Sequence, residues 1–300
     1  MNDRRDVVSN VVTTDARGVP LSENLRPDGP PQTQSRWAGT VPAAVFAPVE
    51  LAGGIAQLAG RVLWSAISRP RGYWGVVRDE MYAVLRVSWF PMVLAVFTFG
   101  LMVGILGLNF VGLLGAANRY GQYFFIVNIR EFTPWINSMV VAGIVGAALC
   151  ADLGARKVRE ELDALEVLGT DPVRELVLPR VLSVTFLTPL LMLVSTLIGV
   201  VCGLVSSATY ADVPAGEYYA TVFANLTTVE IVVALVKSAV TGFAIGIVCS
   251  YKGLNAHGGP SGVGRAVNQA VVTSFALVFV IDLVVNMTAL GFFPEMQTVR

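Results

Sequence analysis

Lys237 and Asp282 are the residues of this chain best placed to do chemistry, because each stands inside a long apolar stretch, 229–251 and 266–294. A charge in a membrane-spanning helix costs at least about 2.5–3.5 kcal/mol and faces a bundle interior or a watery path. Counted from the nearer ends of their stretches, both residues fall on the order of 12–18 Å below the same surface at 1.5 Å per residue. Equal depth and opposite sign predict a pair. Two readings of that pair stay open: an ion pair that ties two helices together, or a polar lining in a cavity. Little else offers chemistry. The single histidine, His257, falls in a loop, so metal catalysis lacks ligands. Cys150, Cys202 and Cys249 lie in or beside apolar runs without CxxC spacing, and read as small buried apolar residues rather than a disulfide or zinc framework.

The elements that must position the pair follow from composition. The chain has 300 residues, 54% hydrophobic and 14% charged, against about 25% charged in soluble domains. Mean hydropathy is +0.65 and formal net charge zero. These values argue against a soluble fold and a disordered chain. They also argue against a nucleic-acid partner, which requires a basic face. No charge occurs in 87–118, 132–151 or 181–211. With the two stretches around Lys237 and Asp282, these runs predict five spanning helices, at about 88–113, 132–151, 181–205, 229–251 and 266–293. Unbroken runs are not the alternating pattern of a barrel strand. The fold class is therefore an all-α integral membrane protein.

Residues 1–40 are polar and rich in Pro, Asp and Arg, and read as a disordered tail without the apolar run of a signal peptide. In 41–80, Val49, Ile55, Leu58 and Val62 recur at near-helical spacing, and Trp64, Tyr73 and Trp74 mix with Arg69, Arg71 and Arg78. That mixture suits the headgroup level and predicts an interfacial amphipathic helix. Residues 81–300 carry the spans. Lys and Arg crowd the N-terminal region, the 152–180 segment and the 252–265 loop, and are absent from 206–228. The positive-inside rule places the first three in the cytoplasm. It places 206–228, the C-terminus and the 114–131 connection, with Arg119 and Arg130, outside.

The 152–180 segment is patterned. Val158, Leu162, Leu165 and Leu168 recur at helical spacing, with Arg159, Glu160, Glu161, Asp163 and Glu166 on the other faces. Gly169 reads as a C-cap, Asp171-Pro172 as the start of a second short helix, and Pro179 as the onset of the third span. Such a helix either lies on the membrane as a connector or docks into a soluble partner; spacing does not choose between them.

Residues 151–182, ADLGARKVREELDALEVLGTDPVRELVLPRVL, resemble the MlaE/YrbE permeases of lipid-transporting ABC systems. The resemblance covers about 85–293. REFTP, 130–134, is similar to the family's RELGP, and AGIVGAA, 142–148, stands where the family has AGRxGSA. VKSAVTGF, 236–243, and YKGLNAHGGPSGVGRAV, 251–267, match its fourth span and following loop. The wording is most similar to the YrbE A-type subunits of actinobacterial Mce systems. Phe132-Thr133 and Ile144 depart from the family pattern.

The resemblance implies a permease subunit with five spans after an interfacial helix, working as a dimer with a B-type paralogue. It implies a separate MceG/MlaF-like ATPase docked on a cytoplasmic coupling helix, 157–170 here, through Arg159, Glu160, Glu161, Leu162, Asp163, Leu165, Glu166, Leu168, Gly169, Asp171 and Pro172. It implies Mce proteins on the outer side, an inner (plasma) membrane location, and lipids, sterols or fatty acids as cargo. Lys237, Asp282 and Asp152 match positions lining the family's lipid cavity. The residues agree on one point: no Gly-Lys pair occurs, so the chain has no P-loop, and ATP and magnesium belong to the partner rather than to a cofactor site here. The alternative, an ion-coupled secondary transporter, calls for internal repeats, and none is visible.

Overall fold

The structure, a computed structural model, describes residues 43–68, 72–210 and 213–296. The predicted tail at 1–40 lies outside the described residues. Ala52–Arg300 forms one compact unit, and the description below concerns it; before it, only the first turns of α1 are described.

The described residues form helices and no strands. Helix α1 (Ala43–Ser68) is followed by α2 (Trp74–Leu113). Span 2, Ala117–Val158, is one helical run built from α3 (Tyr120–Val127), α4 (Thr133–Val140) and α5 (Ala147–Val158), joined by π-helical segments at Asn128–Phe132 and Val141–Gly146. A short α6 (Glu161–Val167) precedes span 3, Val173–Tyr210, which opens with a π segment at Val173–Val177 and continues as α7 (Leu178–Tyr210). Then come α8 (Ala215–Asn225), α9 (Thr228–Leu254) and α10 (Gly259–Phe292). Five helical runs among the described residues are long and apolar enough to cross a membrane, matching the number expected.

Their ends differ from the charge-based boundaries. Helix α2 begins at Trp74 and carries Arg78, Asp79, Glu80 and Arg86 in its early turns. The connection expected at 114–131 is a tight turn at Gly115 (φ 68°), after which helix resumes at Ala117. Arg130 thus belongs to a span and not to an outer loop. The expected separate helix after Asp171-Pro172 is the first turn of span 3, with Asp171 Oδ1 accepting from the Val173 amide at 3.0 Å. Pro179 lies inside that run; it has no amide proton for Glu175, and the wide π turn just before it accommodates the gap. The 206–228 loop contains α8, and the Gly-rich loop shrinks to four residues, 255–258.

Small residues set the packing. A Cβ on Gly100 would stand 3.2 Å from Cys202 Cβ, and one on Gly246 would stand 3.3 Å from Val181 Cα. Gly104 faces Ser206, Gly203 faces Phe124, and Gly242 faces Thr188. Gly100, Gly104, Gly203, Gly242 and Gly246 therefore serve contacts inside the chain, where close backbones substitute for a hydrophobic drive that lipid does not supply. Helix α7 occupies the centre, touching α2 on one side and α9 on the other. Helix α10 is the least covered span: Val272, Phe279, Val280, Leu283, Val284 and Met287 are exposed. On α1, Leu58 and Val62 join the core while Leu63, Trp64 and Ile67 stay exposed.

Candidate functional site

The predicted pair exists. Lys237 Nζ lies 2.7 Å from Asp282 Oδ1, with Lys237 only 2% exposed. Lys237 sits nine residues into α9 and Asp282 ten residues before the end of α10, which places both roughly 15 Å from the α8 end of the bundle.

The pair is the centre of a larger cluster. Asn286, one turn after Asp282, accepts from Lys237 Nζ at 3.1 Å and donates to Asp282 Oδ2 at 3.2 Å and to Glu131 Oε1 at 2.6 Å. Lys237 also donates to the Arg130 carbonyl. Local sequence explains that last bond. Pro134 has no amide proton to offer the carbonyl four residues earlier, which is Arg130's. The ammonium takes up the acceptor that the proline leaves, and the π segment at Asn128–Phe132 turns it inward.

Arg130 has its own anchor. Its Nε donates to both carboxylate oxygens of Glu230 at 3.0 Å, its Nη2 reaches Glu230 as well, and Nη2 donates to the Met296 carbonyl at 2.7 Å. Glu230 is the third residue of α9, whose cap, Thr227, accepts from the Glu230 amide at 3.4 Å. The Glu230 side chain reaches across to span 2 and is 5% exposed. Arg130, Glu131, Glu230 and Asn286 were missed in the sequence. Arg130 was assigned to a loop because it is charged, and the signal that could have moved it inward was Pro134 four residues on.

The cluster is graded. Lys237 and Glu230 are buried, Asp282 is one-fifth exposed, and Glu131 is exposed. Around its open side lie Trp135 and Phe279, ring centroids 6.0 Å apart, and the bare apolar face of α10. Three carboxylates against two cations leave an excess acceptor where the cluster meets the surface. A polar group at mid-depth, flanked by apolar wall, suits an amphiphile that carries its head through a membrane.

The other expected residues gather elsewhere. Asp152 does not join Lys237; it is roughly 33 Å away along span 2, counted over the 22 residues from Arg130. There Arg180 Nη2 meets Asp152 Oδ2 at 2.6 Å and Arg180 Nε meets Glu80 Oε1 at 3.3 Å. Arg156 bridges Asp152 at 3.2 Å and Glu161 at 3.6 Å. This chain of ion pairs joins α2, span 2 and span 3 to α6. Arg159 adds a contact to Glu161 at 2.7 Å, and Lys157 one to Asp163 at 2.7 Å.

Helix α6 is set off sharply from α5. Glu160 adopts φ 60°, the left-handed conformation that favours glycine, and breaks the helix there. At the other end Gly169 (φ 77°) caps as expected: its amide bonds to the Glu166 carbonyl at 2.9 Å, and the Thr170 amide to the Leu165 carbonyl at 3.0 Å, a Schellman pattern. The apolar residues of α6 divide into two faces. Leu162 is buried, Leu165 half-buried and Leu168 exposed, beside an equally exposed Val167. Leu162 faces a cleft shared with Leu58 of α1 and Tyr251 and Leu254 of α9. The free apolar tip is thus Val167-Leu168, with Asp163 and Glu166 exposed nearby.

Residues 77–288 match the family model described as Permease MlaE. The chain belongs to the MlaE permease family. It is 29% identical over 233 residues to a probable ABC transporter permease protein of Rickettsia prowazekii, covering 78% of this chain and 90% of that one. It is 38% identical over 169 residues to one of Synechocystis sp., covering 55% and 63%. The chloroplast protein Trigalactosyldiacylglycerol 1 of Arabidopsis thaliana is 35% identical over 177 residues, covering 58% and 49%. The chain is accordingly a multi-pass membrane permease of an ABC transporter and not itself an enzyme; ATP hydrolysis belongs to a partner subunit.

Proposed function

We propose that this permease carries lipids across the inner (plasma) membrane as part of a Mce-type system, with Lys237 and Asp282 receiving the polar head of the cargo. The observation that carries the reading is the graded cluster: a buried ion pair at mid-depth, extended through Asn286 to an exposed Glu131 and bordered by the bare face of α10. The galactolipid in the plant relative's name supports a lipid cargo. The chain's N-terminus is cytoplasmic and its C-terminus outside, on the excess of Lys and Arg around α6. Helix α1 lies at the inner interface, with Leu63, Trp64 and Ile67 towards lipid. A MceG/MlaF-like ATPase, holding ATP and magnesium, docks on α6, its apolar contact being Val167-Leu168. A B-type permease pairs with this chain, and Mce proteins meet the α8 end.

In this mechanism ATP-driven closure of the ATPases moves α6. The ion-pair chain Glu161–Arg156–Asp152–Arg180–Glu80 passes that displacement to α2, span 2 and span 3. Span 2 carries Arg130 and Glu131, so its displacement reshapes the head site. Reconstitution with the partner ATPase and a fluorescent phospholipid tests the reading. ATP-dependent transfer is expected in the natural chain and is lost in Lys237→Ala while the complex still assembles. Normal transfer by Lys237→Ala would remove the head site from the mechanism.

A further inference from the structure

A second site lies at the α6 end, in a slot of about 290 Å³ between α2, α5 and α7. Its walls are apolar: Val84 and Val87 from α2, Val145 from the π segment, Leu149 from α5 and Val184 from α7. Glu80, Asp152 and Arg180 also line it. Ala83, Val87 and Ala148 are exposed, so the slot opens sideways between α2 and α5, where a spanning protein meets the bilayer.

We propose that this slot binds a membrane amphiphile whose head donates hydrogen bonds and carries no negative charge, a lipid alcohol or a lipid amine. The free acceptors select that chemistry. Two carboxylates and one guanidinium line the slot, Arg156 also holds Asp152 Oδ2 at 3.2 Å, and an anionic head would set its oxygens against carboxylate oxygens with no donor between them. Arg180 turns two of its nitrogens to the carboxylates, Nη2 to Asp152 at 2.6 Å and Nε to Glu80 at 3.3 Å, and its Nη1 is buried without a partner. The carboxylates do have acceptors to spare. Glu80 Oε2 and Asp152 Oδ1 make no hydrogen bond among the described residues, and the two side chains are 32% and 43% exposed. Those two oxygens call for a donor. A hydroxyl or ammonium supplies one, and the alkyl chain behind it lies along the valines of α2 and α7. The inference rests on the chain's place in a membrane and not on the head site at Lys237.

Photolabelling of the full chain in lipid nanodiscs tests it. The probe is monopalmitoylglycerol bearing a diazirine midway along its chain. Labelling is expected on peptides holding residues 84–87 and 145–149. Unlabelled monopalmitoylglycerol and hexadecylamine are each expected to displace the probe at concentrations at least tenfold below palmitate, and the ratio between the two tells hydroxyl from ammonium. Ala148→Trp, which fills the mouth, is expected to abolish this labelling. Glu80→Gln, a mild change at a part-exposed position, is expected to shrink the preference over palmitate severalfold. Equal competition by palmitate would overturn the head selection. Labelling spread evenly over the spans and indifferent to Ala148→Trp would reduce the slot to ordinary lipid contact. Disulfide-linked dimers of Ala148→Cys in native membranes would show instead that a second copy of the chain covers it. Loss of transport in Lys237→Ala with labelling intact keeps this inference separate from the proposed function.

Discussion

The charge cluster around Lys237 and the ion-pair chain at α6 are built from the same residue types, Arg, Lys, Asp and Glu, and differ in what surrounds them. At mid-depth, Lys237 and Glu230 are 2% and 5% exposed. At the α6 end, the pair Lys157–Asp163 is 36% and 56% exposed. The consequence is physical. In a low dielectric an unpaired charge is far costlier than a paired one, so each partner in the first cluster is obligatory. Near solvent, water replaces a lost partner, and single pairs count for little. A partner lost from the deep cluster is therefore costly, and a single pair lost from the shallow chain is not.

Breaking that contrast starts with Glu230→Ala. It leaves the Arg130 guanidinium without its carboxylate and is expected to cost about 3–5 kcal/mol. Unfolding in detergent, followed by circular dichroism, should show it as the largest loss of the set. A natural-like midpoint would mean water reaches Arg130 freely. Within α6, Leu162→Ala is expected to cost about 2–5 kcal/mol, because Leu162 is buried. Leu168→Ala, at an exposed site, is expected to stay within about 0.5 kcal/mol. The same two variants reverse order when binding of the partner ATPase is measured, since Leu168 is free to be touched and Leu162 is not. Gly242→Ala is expected to cost about 1–3 kcal/mol, because its Cβ would press on Thr188 and on the Val184 carbonyl at 3.0 Å; a disulfide-trapping scan between α7 and α9 should show the two helices moved apart. The smallest effect is expected for Lys157→Ala, about 0.2–1 kcal/mol and falling as salt rises. A loss as large as that of Glu230→Ala would erase the contrast between the two regions.

Much of this was legible in the chain. Apolar runs marked five spans, and opposite charges at equal depth marked Lys237 and Asp282. Gly169 was legible as a cap, since only a left-handed position after an apolar repeat needs it there. The misreadings share one cause. Arg130 and Glu131 were treated as boundaries because charge is normally excluded from a span, and Glu230, inside the expected 229–251 run, was passed over. Arg130 is paired with Glu230 across 100 residues of sequence, and no local pattern announces that contact. Asp152 matches a cavity position by resemblance; in space its neighbours are Arg180 and Glu80, at the α6 end of span 2.

What the sequence determined by itself is the class of molecule and part of its vertical order: which runs cross, how many, and at what depth Lys237 and Asp282 sit. Those properties depend on composition and on a fixed rise per residue, and both are local. What only the tertiary structure decided is which charges meet. The wide turn before Pro134 presents the Arg130 carbonyl to Lys237, and α9 and α10 bring Glu230, Asp282 and Asn286 to it. The division of α6 into a buried Leu162 and a free Leu168 was likewise settled by packing, because helical spacing names a face and only a neighbour determines which side of it is covered.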